Sequence, residues 1–319
     1  TYVLLQDLEV TEVYDNNGKY SNPNITLKDA DENTIQIYKA VVEKIDDAWA
    51  LVVGDKVDIK AAVGINNTTL QLRNSFAYEI TEHGVTNIVD ALAGETGTEF
   101  TVKGVVTLVD GRNIYVQDLT GGICLYFATA PTDLSLGDVV KGSGTRAVYR
   151  GLPELSNVTY EASSGLALNA KTVTISDLTS ADVCTYVELK DLEITEVYDN
   201  NGSYSAPNIT VKDADGNSIQ IYKAVVDKIN GAWAWAVGDI VDVKAAVGIN
   251  NTTLQLRNTL TSEITTAASQ PDYGDLVTKL TQLEDGSTVV IYSQGHGTAI
   301  SSKPNGDWYL KAKSATKKR

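Results

Sequence analysis

No methionine occurs in the chain, and cysteine and histidine are each present only twice. Two cysteines, Cys124 and Cys184, cannot build a disulfide framework or complete a tetrahedral zinc site. One bond between them is all the count leaves open. His83 falls in a stretch between repeats and His296 in a Gly-rich turn, where neither a triad nor a metal pair can be argued. No P-loop, dinucleotide fingerprint, His-Glu-x-x-His or Cys-x-x-Cys is present, so the chain reads as non-catalytic. No apolar run reaches the ~18 residues a spanning helix needs, and no membrane insertion is expected in this stretch. Basic residues are also short: 26 Lys and Arg face 41 Asp and Glu, for a net charge of −15 and a pI near 4.5. That balance disfavours a partner held mainly through phosphates. The one basic cluster, Lys311, Lys313, Lys317, Lys318 and Arg319, reads as a solvated tail. Without a methionine, and with strand-like sequence from Thr1 onward, the chain reads as a piece of a longer one whose signal peptide or anchor lies elsewhere.

What is present is repetition. Residues 1–81 and 185–265 align without a gap at an offset of 184, with 62 identities in 81 pairs. Such duplication argues for a serial, multi-module protein rather than one enzyme with one pocket. Within the first copy, Tyr2 to Val10 reads as a strand entering the Asn-rich loop Asp15–Asn24. Ile25-Thr26-Leu27-Lys28 and Ile35-Gln36-Ile37-Tyr38 alternate with period two around a hairpin turn at 29–33. A short helix is expected over Val41 to Trp49, then a strand opened by Val53-Gly54-Asp55, and after Gly64-Ile65-Asn66-Asn67 the fifth strand Thr69 to Arg73.

The middle segment hides a third copy. Leu136 to Asn157 aligns without a gap on Val53 to Asn74, and Asn113 to Asp118 falls on Asn24 to Asp29. Ile123-Cys124-Leu125-Tyr126 falls on Ile35 to Tyr38 once the hairpin loses a residue. Five strands with an insert between the third and fourth, and a Val-Gly-Asp-x-Val opening to the fourth, resemble the OB-fold, a small Greek-key barrel. The wording at 102–123 and 54–72 is similar to tandem OB-fold modules of secreted bacterial proteins, which often accompany extracellular nucleases and phosphoesterases. The resemblance implies an all-β chain of three tandem OB-fold-like five-stranded barrels plus a partial C-terminal β-rich segment. The divisions are 1–81, 82–184 with its linkers, 185–268 and 272–319. In the last, Asp285-Gly286, the run Val289 to Tyr292 and Gly295-His296-Gly297 resemble the start of a β-rich domain. The linkers 82–98 and 158–184 are apolar enough to be expected to pack.

Alternation then selects candidate ligand-binding residues. If Ile25, Leu27, Ile35 and Ile37 face inward, Thr26, Lys28, Gln36 and Tyr38 share the outer face. Likewise Leu70 and Leu72 would point in, leaving Gln71 and Arg73 outside. The outer face of strands 2 and 3, with the loops joining strands 1–2 and 4–5, is where OB-folds bind oligonucleotides or oligosaccharides. The candidate patch is therefore Tyr20, Lys28, Gln36, Tyr38, Gln71 and Arg73, repeated as Tyr204, Lys212, Gln220, Tyr222, Gln255 and Arg257. Trp235, which replaces Leu51, is either a sugar-stacking platform or a packing residue, and Trp49 and Trp233 read as barrel plugs. No cofactor is expected. Calcium is the one metal the Asn-rich loops 15–24 and 199–208 would suit, yet from Asp213 the twelfth residue is Ala224, where a calcium loop needs Glu.

The expected function is a non-catalytic, extracellular or bacterial cell-surface array of modules that spaces or tethers and binds a ligand. Two alternatives stand beside it: an array of carbohydrate-binding modules taking a polysaccharide, and a single-stranded nucleic-acid accessory of a secreted nuclease. Other modules of the same chain are the remaining expected partners.

Overall fold

The computed structural model describes residues 1–45, 48–165, 168–267, 309–312 and 315–318. It divides into two compact units, Thr1–Ala267 and Ala268–Arg319. In the second unit a two-stranded antiparallel hairpin joins Tyr309–Ala312 to Ala315–Lys318. Asp285-Gly286, Val289 to Tyr292, Gly295-His296-Gly297, Lys313 and Arg319 lie outside the described residues.

The first unit is all-β and holds three OB-fold-like barrels, each with strands in the order 1-2-3-5-4 and closed by pairing of strand 1 with strand 4. In the first barrel the strands are Tyr2–Tyr14, Asn24–Lys28, Thr34–Ile37, Lys56–Asn66 and Thr69–Arg73. In the third they are Tyr186–Tyr198, Asn208–Lys212, Ser218–Ile221, Ile240–Asn250 and Thr253–Arg257. The middle barrel uses Glu99–Asp110, Asn113–Gln117, Gly122–Tyr126, Val139–Tyr149 and Leu152–Ser163.

Closure depends on a bend in the long first strand. Its early residues pair with strand 4 and its later ones with strand 2, and the register slips between Leu5 and Leu8. Asp7 sits at that bulge with φ 53°, and its amide donates to the Asp58 carboxylate at 2.8 Å. Asp191 and Asp242 repeat the device at 2.9 Å. A non-glycine residue in this region costs about 1–2 kcal/mol, so the side-chain acceptor is what makes it tenable.

The period-two reading of strands 2 and 3 holds. Ile25, Leu27, Ile37 and Leu72 are fully buried in the first barrel, as are Ile209, Val211, Ile221 and Leu256 in the third. Three expectations need correction. Among the described residues of 41–49 no helix forms; Lys44–Ile45 pairs antiparallel with Ala48–Trp49 instead. Trp49 is therefore half-buried and is no barrel plug, and neither is its twin Trp233; the Trp49 indole N–H bonds Asp15 at 3.1 Å and the Lys44 ammonium lies over its ring at 4.3 Å. Leu70 does not point into a core either. Its strand pairs it with Ile65 near the hairpin tip, and both are exposed.

The linkers are packed. Residues 82–98 contain one short helix, Ile88–Ala93, whose Ile88 and Ala91 join the core of the middle barrel. Glu82 accepts from Lys103 at 2.8 Å and Lys141 at 2.7 Å, and Lys60 reaches Asp90 at 2.5 Å, which ties the first barrel to the middle one by exposed ion pairs. In the second linker Val173, Ile175 and Leu178 lie against the core of the third barrel. Val183 and Cys184 enter a separate apolar cluster between the middle and third barrels.

Candidate ligand face

Strands 3 and 5 run parallel in the first barrel, with Gln36 beside Gln71 and Ile37 beside Leu72. Alternation turns the glutamines outward, and the backbone N–H of Tyr38 bonds the carbonyl of Leu72, which carries Tyr38 to the end of strand 5. The Arg73 guanidinium lies over the Tyr38 ring at 4.7 Å. Tyr38, Gln71 and Arg73, with Gly64, Ile65 and Asn66, border an open recess of about 190 Å³. This trio is the part of the predicted patch that comes together.

Apart from Gln36, which lies beside Gln71, the rest is dispersed. In the strand 2–3 hairpin Lys28 lies opposite Thr34, whereas strand 2 begins at Asn24, where Tyr38 would follow in register. At ~3.3 Å per residue, Lys28 is about 13 Å away along the strand. It bonds Glu32 at 3.2 Å, and that hydrogen bond holds its ammonium above the usual lysine range. Lys212 is likewise taken by Glu193 at 3.1 Å. Tyr20 packs edge-on against Tyr14 with ring centres 5.9 Å apart, and Tyr204 against Tyr198 at 5.8 Å; both keep about 41% exposure. Trp235 is half-buried and packs against the core of its own barrel, as Leu51 does in the first.

The Asn-rich loops are explained by turn chemistry. Asn16 and Asn17 take left-handed backbone ahead of Gly18, and the Asp15 carboxylate accepts from the Gly18 amide at 3.0 Å and from Trp49. Those two bonds, the Gly18 amide first, hold Asp15 below the ordinary carboxylate range. Asp199, Gly202 and Trp233 repeat the pattern. Among the described residues no group of three or more His, Cys, Asp and Glu is placed to hold a metal ion.

The three copies of the face have different fates. In the middle barrel its positions are Tyr115, Cys124, Tyr126, Glu154 and Ser156, and Tyr115 and Cys124 are buried in the cluster shared with the third barrel. The carbonyl of Cys184 accepts from the Thr107 hydroxyl at 2.7 Å. Gly122 is approached so closely that a Cβ there would stand 2.5 Å from the Cys184 carbonyl carbon. Burial drives the thiols of Cys124 and Cys184 well above their ordinary range, and both are free. Burial also raises the carboxyl of Glu154. In the third barrel the Tyr222 N–H still bonds the Leu256 carbonyl and Gln255 still pairs with Gly248, but Arg257 has turned to an ion pair with Asp110 of the middle barrel while remaining 5.1 Å from the Tyr222 ring. Only in the first barrel is the Tyr–Gln–Arg trio open.

Two surfaces escaped the sequence reading. A groove of about 570 Å³ runs over the middle barrel past Glu99, Phe100, Thr101, Ser143, Thr145 and Thr159; a lining of hydroxyls with one carboxylate gives no spacing signal in the sequence. The other is the strand 4–5 tip of the first barrel, whose exposed Ile65 and Leu70 match core residues in the alternating pattern and so look interior.

No family model matches the sequence, and no curated protein matches it. Solved structures do. The Ifi202 HINa domain in complex with a 20-bp double-stranded DNA is 12% identical, with 51% of this chain and 96% of that chain covered, at TM-score 0.24. A replication protein A heterotrimer bound to single-stranded DNA is 11% identical over 88% of this chain and 96% of that one, at TM-score 0.22. The drosophila Unr CSD456 structure is 10% identical over 83% and 98%, at TM-score 0.21. Likenesses this loose add no argument to the barrels described above.

Proposed function

We propose that this chain is a non-catalytic segment of an extracellular or bacterial cell-surface protein, in which OB-fold barrels dock on one another and so space or tether what lies at either end. The observation that carries the reading is the fate of the middle barrel's strand 2–3 face. Tyr115 and Cys124, where a ligand would sit, are buried beneath Ala246 of the third barrel and the linker residues Val183 and Cys184. A face committed to a neighbouring barrel serves architecture. The charges agree with this: the lysines of the other two faces are paired with carboxylates, and the net charge is −15.

A second reading is favoured by the open recess at Tyr38, Gln71 and Arg73. It would take a polysaccharide unit or a single-stranded base by stacking on Tyr38 and hydrogen bonding to Gln71, once Arg73 swings off the ring. Titration of the whole chain with oligo(dT) and with a panel of polysaccharides separates the two. The spacer reading expects no saturable binding even at low salt. Binding that is lost in Tyr38→Ala and Arg73→Ala would replace it with the second reading, and a steep salt slope would mark the ligand as nucleic acid. Turnover of a phosphoester or glycoside by the purified chain would overturn the non-catalytic assignment.

A further inference from the structure

The joint between the middle and third barrels is built on the third-barrel side from residues that the first barrel repeats without change, except Thr259, whose hydroxyl accepts from the Val109 amide at 3.1 Å and whose counterpart is Ser75. Tyr186, Ala246, Ile249, Leu254 and Arg257 correspond, 184 positions earlier, to Tyr2, Ala62, Ile65, Leu70 and Arg73. In the third barrel Tyr186 is 6% and Ala246 0% exposed, and Ile249 and Leu254 pack into the shared cluster. In the first barrel Tyr2 is 59%, Ile65 68% and Leu70 58% exposed. Polar contacts complete the joint: Tyr186 N–H donates to Gln117 Oε1 at 2.8 Å, Asn251 N–H to the Arg150 carbonyl at 2.5 Å, and Arg257 pairs with Asp110. Asn251 too has its twin, Asn67, which is exposed.

We propose that this face of the first barrel is a docking site for a barrel of the middle type, seated on it as residues 82–184 seat on the third barrel. The first barrel carries half of an interface whose other half is known from the same molecule, with the same side chains on the same strands. The occupant must offer what the middle barrel offers: an apolar outer face on strands 1 to 3, of the kind Leu108, Tyr115 and Cys124 make, and a carboxylate placed like Asp110 to meet Arg73. A second copy of this chain does not supply it, because its own third barrel already covers that face. A barrel fused ahead of Thr1 would meet the residues that the known joint uses, since Thr1-Tyr2-Val3 repeats Thr185-Tyr186-Val187. The proposal goes beyond the spacer reading and does not depend on it.

The test is a fusion of residues 82–184 ahead of Thr1 of the whole chain, read by amide hydrogen exchange. The middle barrel closes on its own five strands and has its own core, so the added copy is a complete unit. Docking should slow exchange at Tyr2 and Asn67 by at least tenfold relative to the unfused chain, to the rates of Tyr186 and Asn251 in the same molecule. Leu70→Asp should restore fast exchange in the fusion and leave the unfused chain unchanged. Tyr2 and Asn67 exchanging at their unfused rates would overturn the proposal, whether the added barrel is folded or not. So would a concentration-dependent dimer of the unfused chain that Leu70→Asp abolishes, since that assigns the face to a second copy.

Discussion

Arg257 of the third barrel forms an ion pair with Asp110 of the middle barrel, whereas its twin Arg73 rests over Tyr38 and meets no carboxylate among the described residues. The Arg257 side chain is 13% exposed. A charge this enclosed contributes through its hydrogen bonds, at about 1.5–3 kcal/mol for bonds to charged groups. Arg257→Ala should therefore lower the stability of the chain by about 2 kcal/mol in urea unfolding, while Arg73→Ala stays within about 0.5 kcal/mol. Equal effects from the two substitutions would show that the joint is not where the arginine acts.

Gly122 gives a steric test of the same joint. A Cβ at this position meets the Cys184 carbonyl carbon at 2.5 Å and the Val183 carbonyl oxygen at 2.7 Å, and these are backbone atoms that cannot rotate aside. Gly122→Ala must push the linker away from the middle barrel, at a cost of about 1–3 kcal/mol for an overpacked site. Exchange at Cys184 and Val247, whose amides bond across this region, should accelerate. A variant as stable as the parent, with unchanged exchange there, would mean the linker does not lie against Gly122.

How much of this was legible in the sequence follows from the reach of each signal. Alternation in Ile25-Thr26-Leu27-Lys28 fixes which side chains enter the barrel, because a strand has only two faces. The Gly-Asp openings and the Asn-rich turns place strand ends for local reasons, as Asp15 does by holding the Gly18 amide. The eight-residue stretch before Trp49 was illegible because one turn of helix and a tight hairpin make the same apolar pattern. What chose the hairpin is tertiary: Trp49 reaching Asp15, 34 residues away. The fate of the candidate face was illegible for a similar reason. Residues 60–74 and 244–258 are identical, and the first difference after the arginines, Ser75 against Thr259, keeps a hydroxyl, so the sequence beside Arg73 and Arg257 does not announce which one Asp110 claims.

The two thiols should behave as interior groups. Cys124 and Cys184 are fully buried in one cluster, and burial raises both well above the ordinary thiol range, so little reactive thiolate exists at neutral pH. An aromatic disulfide reagent should label neither in the native chain and both at the rate of unfolding in urea. Rapid labelling of the native protein, or a thiol count of zero after unfolding without reductant, would contradict free and buried cysteines.

His83 provides a pH signature at the joint between the first and middle barrels. Its Nδ1 lies 2.6 Å from the Asp58 carboxylate, and that hydrogen bond raises the imidazole above its ordinary value. Burial alone would raise Asp58, but bonds from His83 and from the amides of Asp7 and Gly84 outweigh it and hold the carboxyl low. The signs follow from linkage: a raised histidine stabilises the fold fully below its unfolded value of ~6.5, and that contribution disappears as pH rises through the higher folded value. The lowered Asp58 contributes above its unfolded value of ~3.9 and loses that share as pH falls through the folded one. Stability should therefore decline on the alkaline side of about pH 6.5 by an amount that His83→Gln removes, and histidine NMR should place the His83 midpoint above the free value. A midpoint at or below that value would break the pairing with Asp58.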